Sequence, residues 1–98
     1  MQDMSTTFQT ALSSYGREYA ISSYEKELKS NPDNWAAWNN IGVDKSKYGK
    51  QKNNISLVQK GKNDIEKAKR LANRDNIEYP IADGNIIWAK EVLNSLSI

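Results

Sequence analysis

The chain contains no cysteine and no histidine. The first absence removes disulfides and thiolate metal ligands, and with them any reading of the redox compartment. The second removes a common zinc ligand and the commonest general base. No apolar run approaches the roughly 20 residues that a spanning helix needs, so no membrane span is expected. Met1-Gln2-Asp3-Met4-Ser5 lacks the basic and apolar regions of a leader. That favours a cytoplasmic location, with an exported protein whose leader has been removed as the open alternative.

Catalytic signatures are missing as well. Asp and Glu do not cluster at a spacing that suggests a carboxylate metal site. There is no phosphate-binding loop, no Gly-x-Gly-x-x-Gly and no nucleophile elbow. Gly61-Lys62 lacks both the upstream glycine and the following hydroxyl of a phosphate-binding loop. Serine, threonine and carboxylate side chains have no imidazole to work with. The expectation is a binding protein, not an enzyme, with no cofactor and no metal.

The chain has 98 residues, enough for one domain with a modest core. Its two prolines, Pro32 and Pro80, read as helix boundaries. Helical periodicity dominates around them. A first helix begins near Ser5 or Thr6, with Phe8, Ala11, Leu12 and Tyr15 on one face, and Gly16 interrupts it. A second runs over about 17–30 with Ala20, Ile21, Tyr24 and Leu28 as its stripe. Asn31-Pro32-Asp33-Asn34 is a run of turn formers. A third helix follows with Trp35, Trp38, Ile41 and Gly42 inward, and it fades near Tyr48-Gly49. The fourth, over about 53–73, carries Ile55, Val58, Gly61, Ile65, Ala68 and Ala72 at a sustained helical period. The last begins near Pro80, with Ala82, Ile86, Ala89, Leu93 and Leu96 on one side. A rival for residues 77–88 is a short β-hairpin turning at Asp83-Gly84.

Ala20, Tyr24 and Pro32 are spaced by four and then eight residues. With the closing turn, this resembles the second helix of a tetratricopeptide repeat. Trp38, Ile41 and Gly42 are similar to the tryptophan, aliphatic and small positions of the next repeat's first helix. In that pattern small residues let paired helices approach, and large ones fill the space between hairpins. The resemblance is clearest over 16–50. Beyond Gly49 it needs about seven extra residues, two helical turns, before Gly61 can take the small position. It implies an all-α, short antiparallel helix-hairpin array of about five helices. Hairpin 1 spans about 5–31 and hairpin 2 about 34–74, with a lengthened fourth helix and a capping helix over about 80–96.

The resemblance also implies a partner protein held in a groove lined by the first helix of each hairpin. Carried over by position, the groove residues are Gln9, Asn39, Val43, Ser46 and Lys47. Asn40 stands at one position of the family's carboxylate clamp. The other positions fall on Ser5, Gln9, Ile77 and Ile81, which carry no cation, so that clamp is not expected.

Two other readings come from charge and apolar content. Residues 45–70 hold nine basic side chains against two acidic ones, a surplus of seven that leaves the rest at −5 within a net +2. Lys60, Lys62, Lys67, Lys69 and Arg70 would form a basic face for an anionic partner, an acidic protein or nucleic acid. Only Tyr48 interleaves this run as an aromatic, which disfavours nucleic acid. Ile86, Ile87, Trp88, Val92, Leu93 and Leu96 exceed what one helix face buries. That motivates self-association through the C-terminal helix, or a place within a larger repeat assembly.

Overall fold

The computed structural model describes the backbone of residues 2–97 and the side chains of residues 16–97. Four α-helices run in order: α1 Gln2–Ser30, α2 Trp35–Gln51, α3 Ile55–Arg74 and α4 Pro80–Leu96. The fold is all-α, with no strand among the described residues.

The expected count of about five helices is corrected to four. Gly16 does not break the chain, and the first two expected helices form one helix of 29 residues. A lone glycine in an exposed helix costs only about 1 kcal/mol, and no proline or cluster of turn formers accompanies it. Phe8, Ala11, Leu12 and Tyr15 lie outside the residues whose side chains are described. The hairpin alternative at 77–88 also gives way. Pro80 opens α4 at the first helical position, where its missing N–H costs nothing, and Asp83-Gly84 continues the helix.

Asparagine sets most of the boundaries. Asn34 caps α2 by accepting the Ala37 N–H at 3.1 Å, and Asn54 caps α3 by accepting the Leu57 N–H at 3.1 Å. Asn53 and Asn76 adopt left-handed backbone, with φ of 53° and 61°. Each lets the next residue reach back five positions: Asn54 N–H to Gly49 O at 2.8 Å, and Ile77 N–H to Ala72 O at 2.9 Å. These closures satisfy carbonyls that a helix end otherwise leaves open.

The α2–α3 hairpin is the centre of the fold. Gly49 faces Val58, and Gly42 faces Gly61 and Ile65, so the two helices run antiparallel. On α3, Val58, Ile65, Ala68 and Ala72 are all fully buried. Ile55, expected on the same stripe, is exposed because it is the first residue of the helix and overhangs the turn. α1 packs on the other side of α2 through Leu28, Ala37 and Ile41, with Ile21, Tyr24 and Trp38 packed around them. α4 lies along α3, burying Ala82, Ala89 and Val92. Trp38 donates its indole N–H to the Pro32 carbonyl at 2.7 Å, which ties the first turn to α2. No helix is long and apolar enough to cross a membrane among the described residues.

Candidate functional site

α2 is flanked by α1, α3 and α4, and two of its faces open into grooves. The first lies between α1 and α4 and is floored by Asn40 and Val43, with about 330 Å3 of open volume. Tyr24 forms its α1 wall, and Ile81 and Asn85 form its α4 wall. Polar side chains dominate it. The Asn85 amide donates to Asn39 Oδ1 at 3.1 Å, and the Asn39 amide donates to Asn40 Oδ1 at 3.5 Å. Among the described residues, the Asn40 NH2 at one end and the Asn85 carbonyl at the other have no further hydrogen-bond partner. Asp44 lines the α1 side, 3.7 Å from Arg17. Burial raises its carboxyl above the ordinary carboxylate value, against the pull of Arg17 and Lys47.

The residues expected in the groove separate in space. Asn39 and Val43 come together there. Lys47 is exposed beyond them. Ser46 is corrected: it is fully buried, donating to the Gly42 carbonyl at 2.8 Å against Gly61, and presents nothing to a partner. Its place on the α3 side follows from the close glycine contact, which a family register alone does not reveal. Gln9 lies outside the described side chains.

The second groove opens on the opposite side of α2, between α1 and α3, with about 550 Å3 of open volume. Leu28 and Ile41 floor it, Ile21, Trp38 and Leu57 add apolar walls, and Lys29 and Lys60 stand at its edges. Sequence reasoning missed it. Leu28, Trp38 and Ile41 read as core, and they do pack as core, with Leu57 the one large apolar residue of α3 that lines the groove beside them. The detectable signal was Lys60 and Lys67, cations directly flanking the apolar stripe of α3.

The basic residues of α3 do not form one face. Lys60 turns toward the second groove, and the Lys67 ammonium sits 4.2 Å from the centroid of the Trp38 ring. Lys69 and Arg70 line a cleft against α4 instead. Several charges of the 45–70 run are answered locally. Lys62 pairs with Glu66 at 3.3 Å, Lys69 with Asp83 at 2.7 Å, and Lys45 with Asp64 at 2.7 Å. The C-terminal apolar residues are also dispersed: Val92 is buried, Ile86, Trp88, Leu93 and Leu96 are half-buried, and Ile81 and Ile87 are exposed on different sides of α4.

No three His, Cys, Asp or Glu side chains converge on a metal position among the described residues. Comparison with known proteins finds no matching family model, no matching curated protein and no matching solved structure.

Proposed function

We propose that this chain is a tetratricopeptide-like interaction module that holds an extended segment of a partner protein in the groove between α1 and α4. The amide relay Asn85–Asn39–Asn40 supports this reading. One free donor and one free acceptor on the same groove are what a peptide unit needs, since its carbonyl accepts and its N–H donates. Ile81 and Val43 add apolar contact beside them, and Lys47 is near enough to Asp44, on the groove's α1 side, to act on its carboxyl. The helices are formed before binding, so the partner's ordering is the main entropic cost. No side chain in the groove forms a nucleophile–base pair, which favours binding over catalysis.

The test uses Asn40→Ala and Asn85→Ala, with helicity by circular dichroism as the control for folding. Against a peptide selected on the wild-type chain from a displayed random library, each variant is expected to bind several-fold to about tenfold more weakly, as the loss of one hydrogen bond implies. Unchanged affinity in both variants would sink the proposal.

A further inference from the structure

We infer that the second groove, on the opposite side of α2, is a docking site for an acidic amphipathic helix of a partner protein. It is independent of the amide groove and does not rest on that reading. Ile41 and Leu28 make a floor that is 1% and 8% exposed, so the bottom is already packed and the contact surface lies on the walls. Ile21 and Leu57 form apolar walls on α1 and α3, with the Trp38 ring between them.

The shape selects a helix. α1 and α3 each run antiparallel to α2: Arg17 meets Asp44 while Leu28 meets Ala37, and Gly42 meets Gly61 while Gly49 meets Val58. They therefore run in the same direction on either side of α2, and the trough between them can take the ridge of a third helix laid along it.

The charge selects the occupant's chemistry. Lys29 stands on the α1 rim and Lys60 on the α3 rim, both exposed. Neither forms an ion pair among the described residues, unlike Lys45, Lys62 and Lys69. Lys67 adds a third cation above Trp38. Glu25 is the single carboxylate lining the trough. A helix with apolar residues at i, i+3 or i+4 and i+7, flanked on both edges by Glu or Asp, satisfies the floor and both rims. A bilayer is flat and does not reach a recessed floor. A nucleic acid would find one aromatic ring to stack on.

The experiment starts from random peptides about four helical turns long, displayed and selected on the intact chain. Winners are then titrated into 15N-labelled protein. Acidic, apolar-periodic sequences are expected, shifting the Trp38 indole N–H and the amides of Leu57 and Lys60 but not those of Asn40 or Asn85. The double variant Lys29→Glu/Lys60→Glu, both exposed positions, is expected to weaken them about tenfold and to favour Lys-for-Glu versions of the same peptides. Four results would overturn the inference. Selected peptides could be neutral or basic, or could shift only Asn40 and Asn85, which would leave the amide groove as the sole site. Anionic phospholipid vesicles could shift the Trp38 set while acidic peptides do not. The Trp38 set could shift with protein concentration alone, alongside a rising mass, which would assign the trough to a second copy of the chain.

Discussion

Gly42 and Gly61 meet backbone to backbone: a Cβ built on either would lie 2.5 Å from the carbonyl oxygen of the other. A side-chain adjustment cannot relieve these two contacts, because both carbonyls are main chain. The same Cβ on Gly61 would also strike the Ser46 hydroxyl and, at 2.8 Å, the Ser46 nitrogen. Gly42→Ala and Gly61→Ala are therefore expected to destabilise the fold by about 1–3 kcal/mol, the usual cost of overpacking, even though alanine is the better helix former. Urea unfolding of each variant checks this, and a gain in stability would refute the close contact.

Gly16 and Gly84 behave in the opposite way. An added Cβ at either meets nothing within 4 Å, and both lie inside helices. Gly16→Ala and Gly84→Ala are expected to stabilise the chain by up to about 1 kcal/mol each through helix propensity alone. A cost at Gly16, measured by the same unfolding curves, would mean that α1 needs to bend there.

These glycines show what could be read from the sequence and what could not. Gly42 and Gly61 lay on apolar stripes, so their role in close approach was legible from periodicity. Gly16 lay on no stripe and looked like a break, because sequence alone does not say whether a glycine has neighbours. The α3 stripe was legible from Val58 to Ala72, since every step of three or four residues landed on a buried position. Ser46 was not, because a one-residue position on a helix turns it by about 100 degrees and register came from an analogy. The amide groove was half legible: Asn39 and Val43 were named, but Asn85 reaches them from 46 residues away. The second groove depends on what α3 fails to cover, and no local pattern encodes that.

Trp38 does two jobs whose contributions separate. Its indole N–H holds Pro32 O at 2.7 Å, while its ring face receives Lys67 at 4.2 Å. Trp38→Phe keeps an aromatic face and loses the hydrogen bond, with an expected cost of about 0.5–1.5 kcal/mol. Lys67→Ala removes the cation, with an expected cost of about 0.5–1 kcal/mol. In a double-mutant cycle with Trp38→Leu, the Lys67→Ala effect is expected to vanish. A Lys67→Ala cost that persists in the Trp38→Leu background would show that the lysine acts elsewhere.

Asp64 supplies a signed prediction for pH. Its 2.7 Å pair with Lys45 would ordinarily lower a carboxyl pKa. Here burial outweighs the hydrogen bond and the charge of Lys45, and the pKa stands above the ordinary 3.8. The folded state therefore binds this proton more tightly than the unfolded chain does. By linkage, the stability that Asp64 contributes is greatest below 3.8 and declines as pH rises through the raised folded value. Asp44 is shifted in the same direction, so the test must isolate Asp64. Thermal unfolding of the wild type and Asp64→Asn, compared between about pH 3 and about pH 6 across the carboxylate range, does so. The wild type is expected to lose ground to the variant as pH rises. A wild type that gains ground instead would mean that the Lys45 pair dominates burial.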